Sequence, residues 1–376
     1  MARRTAAESL WAGKNPMSNK VMLVAGASGL IGAAVVEHFA AQAGWEVVAL
    51  SRRAVPAGPT VRHLAVDLTD MAACRGAASV LAGVTHVVYT ALYEKDDLIG
   101  GWQDEEQHAV NVAMLRNLLD ALEHAGSALR HLTLLQGAKA YGVHIGQSPV
   151  PAKERAPRHP HRNFYWQQED MVRERQAKGA WTYTVLRPQI VLGNALASPM
   201  NVMIAIGVYA AILREQGLPL AFPGGGRHVN GASDSRLIAR AAHFAATDPR
   251  AANQTYNNVN GDVLCWHDAW PAIAAHFGME VGPASPLRLA EAMPRHESVW
   301  AALVARHGLQ ELSLAQLVGS SWQYADRVFA YGIETPNDTV MSPLAIRKAG
   351  FNDCEDTEDS MLYWLGRLQA EKRLPP

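Results

Sequence analysis

Apolar residues in the first half of the chain come in short unbroken runs separated by amphipathic stretches, a pattern expected of buried parallel strands alternating with helices. Val21-Met22-Leu23-Val24-Ala25 is the first such run; after a glycine-rich turn, Ile31, Val35, Val36 and Phe39 recur at helical spacing. Runs at Val47 to Leu50, Val61 to Val66, His86 to Tyr89, Leu132 to Leu135 and Tyr183 to Leu186 predict further strands. Val110, Met114, Leu115, Leu118 and Leu122 predict a helix between the runs at His86 to Tyr89 and Leu132 to Leu135. Beyond Leu192 the spacing becomes mainly helical, over 202–213, 235–246, 266–277 and 357–368, with Pro and Gly between the pieces. The elements together predict an α/β fold, a Rossmann-type doubly wound parallel sheet over residues 17–192. A mainly helical cap follows over 193–376, with a segment near 254–260 returning to the sheet. Residues 1–16 are polar and Ala/Arg-rich ahead of Met17, and are expected to form a disordered leader.

The turn between the first strand and the first helix reads Gly26-Ala27-Ser28-Gly29-Leu30-Ile31-Gly32. Gly26 and Gly29 permit a tight turn and close approach to a pyrophosphate, and Gly32 permits close helix–strand packing. The helix N-terminus then offers unpaired N–H groups to the anion. Sites for NAD usually end the second strand with Asp or Glu, which bonds the ribose 2′-hydroxyl. Here Leu50 is followed by Ser51-Arg52-Arg53, which suits a 2′-phosphate, so the expected cofactor is NADPH/NADP+. Asp67 and Leu68, at the end of the third strand, are placed to meet the adenine, although an acid there could equally cap the next helix.

Composition narrows the partners. Charged residues make up 18% of the chain and the formal net charge is -1, which argues against a nucleic-acid partner. No apolar run reaches the roughly 18 residues needed to span a bilayer, so no membrane partner is expected. Cys74, Cys265 and Cys354 are odd in number and widely spaced, which argues for a reducing, cytoplasmic setting. The 15 histidines include His159-Pro160-His161 but no metal-ligand spacing, and no metal is expected. Trp266 and Trp270 share a helix face and read as core.

Short-chain dehydrogenases normally carry Tyr and Lys four residues apart on one helix, but Tyr165 is followed at that spacing by Glu169. The segment reads Asn163-Phe164-Tyr165-Trp166-Gln167-Gln168-Glu169-Asp170, and upstream stands Gly137-Ala138-Lys139-Ala140-Tyr141-Gly142. These segments resemble the signatures of progesterone 5β-reductase/iridoid synthase-like enzymes, an atypical branch of the short-chain dehydrogenase/reductases. There the motif reads Asn-Phe-Tyr-Tyr-x-x-Glu-Asp, with a lysine from Gly-x-Lys-x-Tyr. Leu186-Arg187-Pro188, Ser198-Pro199-Met200-Asn201, Ser233-Asp234 and Asn257 to Asp262 continue the resemblance in order, from Val21 to the C-terminus. Trp166 for the second tyrosine and Gln136-Gly137 for Thr-Gly are departures.

The resemblance implies NADPH-dependent reduction of the C=C bond of a small-molecule α,β-unsaturated carbonyl. Tyr165 would donate to the oxygen that becomes an enolate, supported by Lys139. It adds Thr90, Ala91, Gln136, Tyr165, Pro188, Ile190, Ser198 and Met200 to the cofactor contacts, and allows a homodimer. The apolar stretch 200–206 is read either as pocket lining or as core. Glu169 and Asp170 are assigned hydrogen bonds or solvated charges and no chemistry. Carbonyl reduction, or another extended short-chain dehydrogenase activity, uses the same hydride and tyrosine and stays open as the alternative. Retention of Tyr165 and Lys139 counts against a third reading, a non-catalytic NADP-binding sensor.

Overall fold

The computed structural model describes residues 20–376, so the expected leader at 1–16 lies outside the described residues. Seven parallel strands form one sheet: β1 (Lys20–Ala25), β2 (Trp45–Leu50), β3 (Val61–Leu64), β4 (His86–Tyr89), β5 (His131–Leu135), β6 (Thr182–Arg187) and, beyond two short strands, β9 (Gln254–Asn257). The intervening β7 (Ile190–Leu192) and β8 (Ala232–Asp234) pair with each other in a small second sheet. The order β3-β2-β1-β4-β5-β6-β9 places β1 between β2 and β4. The winding therefore reverses between β1 and β4, and a crevice opens at the carboxyl ends of those strands, where doubly wound sheets bind ligands.

Alternation along each strand explains why the runs are continuous. Met22, Val24, Val47 and Ala49 face a layer formed by the helices Leu30–Ala40 and Ser235–Thr247. Leu23, Ala25, Val48 and Leu50 face the helix Glu105–His124 on the other side, through Leu115, Leu118 and Leu122. Both faces of β1, β2 and β4 are covered, so their sequence pattern is not polar on either side, whereas the edge strand β3 is half-buried along its length.

A third core lies in the cap. The helix Val202–Glu215 is buried from Val202 through Ile212 and packs with Trp266, Trp270, Trp300, Trp322 and Trp364. The 202–206 stretch is therefore core, and the pair Trp266 and Trp270 is each 1% exposed in that core. Residue 192 is not a clean division between layers. The Ser235–Thr247 helix packs on the Leu30–Ala40 helix, and β9 adds to β6, so later chain segments complete the sheet domain. Among the described residues no helix is long and apolar enough to cross a membrane, and no group of His, Cys, Asp or Glu is placed to hold a metal ion.

Candidate active site

The glycine turn is shaped by its neighbours. Gly26 adopts φ 85° and its N–H donates to the Leu50 carbonyl at 2.9 Å, tying the turn to β2. A Cβ on Gly26 would stand 2.7 Å from the Ala91 nitrogen, and one on Gly32 would stand 2.1 Å from the Gly26 carbonyl oxygen. Neither position tolerates a side chain without moving backbone. Gly29 caps the Leu30–Ala40 helix with no side-chain hydrogen bond, so the first N–H groups face the crevice uncapped. Thr90 closes the other wall: its hydroxyl donates to the Ala25 carbonyl at 2.7 Å.

These residues border one cavity of about 950 Å³ that runs from the glycine turn to the cap. Ser51, Arg52 and Arg53 line the end beside β2, with Asp67 and Leu68 next to them. The Ser51 hydroxyl is turned inward, donating to the Arg53 carbonyl at 2.6 Å. Arg53 reaches across to the carbonyls of Leu196 and Ala197 at 2.7 and 3.0 Å, joining the cap to the turn. Arg52 is exposed, with Asp67 3.9 Å from its guanidinium. Asp67 binds Thr69 locally, while Asp70 caps the following helix, Met71–Gly76. Gln136, Pro188, Ile190, Ser198 and Met200 complete the wall toward Tyr165 and Lys139. Every residue assigned in the sequence to catalysis or to cofactor contact thus borders the same space.

Tyr165 lies in the first turn of the helix Phe164–Gln176, and Lys139 in the short 3₁₀ helix Ala138–Tyr141 after β5. One side chain stitches the two together. The Asn163 carbonyl oxygen accepts from the Tyr165 N–H at 3.0 Å, and its amide donates to the Lys139 carbonyl at 3.1 Å. Gln136 supports the helix from beneath, donating to the Tyr165 carbonyl and to Glu169, each at 3.1 Å, and accepting from Arg187 at 2.8 Å. The departure from Thr at position 136 therefore places a two-handed amide in a buried network. Glu169 also receives Arg187 at 3.2 Å and Arg173 at 2.6 Å, a structural role, whereas Asp170 is solvated and pairs with Arg158. Trp166, the other departure, lies between Arg158 and Arg187, 4.9 and 5.3 Å from its ring centre.

The Tyr165 side chain is 7% exposed, and its hydroxyl has no hydrogen-bond partner among the described residues. It stands near Gly137, where an added Cβ would lie 3.4 Å from it. Burial, then the charge of Glu94 and the neighbouring Tyr324, pushes its pKa upward, so the phenol remains protonated. Lys139 lies 6.0 Å from the Tyr165 ring centre and 4.6 Å from that of Trp102. Its ammonium pairs at 3.4 Å with the buried Glu94, a partner that sequence reasoning missed. Burial pulls its pKa down while Glu94 opposes the shift.

Tyr324 and Arg327 were also missed. They come from the cap helix Ser321–Val328 and line the same cavity. Ser321, Trp322 and Ala325 of that helix are buried and Tyr324 packs against the same cap core, so no motif or spacing in the sequence marks either residue as cavity wall.

The fold is that of the short-chain dehydrogenase/reductases, and its relatives mark the chain as an oxidoreductase. The UDP-glucose 4-epimerase of Thermus thermophilus, solved with NAD, matches with a TM-score of 0.63 at 19% identity, over 93% of this chain and 99% of that one. RMD from Pseudomonas aeruginosa, solved with NADPH, matches at 0.64 and 16% identity, over 94% and 100%. The model of the PRISE-like Rossmann-fold domain matches residues 69–375. A 3-oxo-Delta(4,5)-steroid 5-beta-reductase of Arabidopsis thaliana is 31% identical, covering 94% of this chain and 93% of its own length. An (S)-8-oxocitronellyl enol synthase of Nepeta racemosa is 30% identical, with 94% and 91% covered. The chain belongs to the PRISE-like family.

Proposed function

We propose that this protein reduces the C=C bond of α,β-unsaturated carbonyl compounds, using NADPH. The observation that carries this reading is the Tyr165 hydroxyl, which is buried at the cavity wall, protonated and unused by the protein. The relatives support the substrate class, since one is named for a 3-oxo-Delta(4,5)-steroid and another for an 8-oxocitronellyl enol.

The residues present fit the cofactor. A cradle that Cβ atoms at Gly26 and Gly32 would fill, with uncapped helix N–H groups beside it, suits a pyrophosphate. Arg52 and Arg53 suit a 2′-phosphate, with Asp67 and Leu68 beside the adenine. When bound, the reduced nicotinamide supplies hydride to the β-carbon of the enone. Tyr165 then donates a hydrogen bond to the carbonyl oxygen as it gains enolate charge, and a preorganised donor in a dry site stabilises that charge more than it stabilises the starting ketone. Lys139 is a positioning residue. Its cation lies on the ring side of Tyr165, with Trp102 and Glu94 fixing its place. The saturated ketone forms when the α-carbon takes a proton from solvent.

Product analysis tests the reading. Purified protein with NADPH and a small cyclic enone is expected to yield the saturated ketone; an allylic alcohol as sole product would exclude it.

A further inference from the structure

The cavity extends past Tyr165 to a second polar group that enone reduction does not use. Arg327 is half-buried and lines this space. A single hydrogen bond to protein holds it, from Nη2 to the Val143 carbonyl at 2.8 Å. Among the described residues no carboxylate pairs with it. Asp326, adjacent in the chain, is occupied by the N–H groups of Leu289 and Ala290 at 2.7 and 3.0 Å. Glu94 is occupied by Lys139 and Gln107. The acid among the described cavity-lining residues is Asp67, at the opposite end beside Arg52. His144, also on the wall, is held neutral, its pKa lowered to about 3 by burial and then by Lys139.

A guanidinium withdrawn from water without a counter-ion is costly, and a planar fork of donors is matched best by a carboxylate. Tyr324 sits one turn before Arg327 on the same helix face, and its hydroxyl has no protein hydrogen bond among the described residues. Tyr165, Tyr324 and Arg327 all line this one cavity.

We propose that the substrate is an enone carrying a carboxylate at a second point, that Arg327 binds this carboxylate, and that Tyr324 donates to it from the same helix face. This deepens the reductase reading and rests on it for the enone half of the molecule.

The test is a matched pair, an enone carboxylic acid and its methyl ester, compared by kcat/KM with NADPH. The native enzyme is expected to favour the acid by about 10- to 100-fold, the range of a charge-assisted pair. Arg327→Met is expected to bring the acid-to-ester ratio close to one, with Arg327→Lys in between, and thermal unfolding checks that each variant is folded. Equal use of acid and ester by the native enzyme, or an unchanged ratio in Arg327→Met, would overturn the carboxylate site. A saturated analogue of the acid supplies a readout free of turnover, through titration calorimetry on the NADPH-bound protein. If neither enone is reduced yet the analogue binds native protein at least tenfold tighter than Arg327→Met, the carboxylate site stands and the reductase reading falls. Equal binding to both proteins would reject the site whatever the turnover.

Discussion

Replacing Tyr165 by Phe removes one oxygen and little else. The ring stays where Phe164 and the helix hold it, and the lost hydroxyl has no protein partner to leave unsatisfied. Fold stability should therefore change by less than about 1 kcal/mol, because no internal hydrogen bond is broken. Catalysis should change far more. Loss of one preorganised donor to a developing oxyanion costs about 10²- to 10³-fold in kcat, or roughly 2.7–4 kcal/mol. Tyr165 is only 7% exposed but borders a large cavity, so a water molecule admitted to the vacated position can donate in its place, which favours the lower end. We expect kcat for a small enone to fall roughly 100-fold while NADPH affinity changes by less than about threefold. The assay is loss of NADPH absorbance under single-turnover conditions, so that product release does not mask the chemical step, with cofactor affinity from fluorescence titration. A variant that turns over within a few-fold of native would remove Tyr165 from the mechanism. Equal collapse of turnover and thermal stability would instead assign it a structural role.

Three further outcomes follow from other parts of the molecule. Lys139→Met should lower kcat by about tenfold or more; because burial depresses the lysine pKa, native kcat should fall on the alkaline side as the amine loses its proton, and the variant should lack that limb. Arg52→Ala and Arg53→Ala together should weaken NADPH by about 10- to 100-fold relative to NADH, as expected for lost charge-assisted bonds, and equal losses for the two cofactors would contradict the 2′-phosphate site. His131 is 3% exposed, between Thr182 and Thr133 at 2.8 and 3.2 Å, with its pKa lowered from 6.5 to about 3 by burial and then by His86. The unfolded chain therefore binds the proton first as pH falls. The stability contribution is full above the unfolded value and is lost progressively below it, by about 2 kcal/mol at pH 5. Denaturant unfolding of His131→Gln against native protein across that range should show a flatter pH dependence, and parallel curves would refute the assignment.

The difference between what the sequence disclosed and what it hid has a physical origin. Strands of a sheet covered on both faces are apolar at every position, so β1, β2 and β4 stand out as runs, and the glycine turn stands out because Gly26 and Gly32 leave no room for a Cβ. Those constraints are local, carried by consecutive residues. The pairing of Tyr165 with Lys139 is not local, and the family motif disclosed it where periodicity could not. Asn163 is the reason that motif spans both segments, since it caps the tyrosine's helix and holds the lysine's backbone.

What stayed hidden depends on tertiary packing alone. Glu94 lies in Tyr93-Glu94-Lys95-Asp96-Asp97, a string that reads as a solvated loop until the fold encloses its second member beside Lys139. Tyr324 and Arg327 stand on a short cap helix and become cavity wall because Trp322 and Ala325, with Tyr324 beside them, anchor that helix in the cap core. The groups proposed for hydride chemistry thus sit on the helix Phe164–Gln176 and the 3₁₀ helix after β5, which Asn163 ties together through backbone contacts. The groups that would select one enone over another sit on helices fixed by apolar packing, where a polar residue facing the cavity can change without disturbing the core. Substitutions at 324 and 327 should accordingly redistribute activity among substrates, whereas substitutions at 165 and 139 should lower it for all of them.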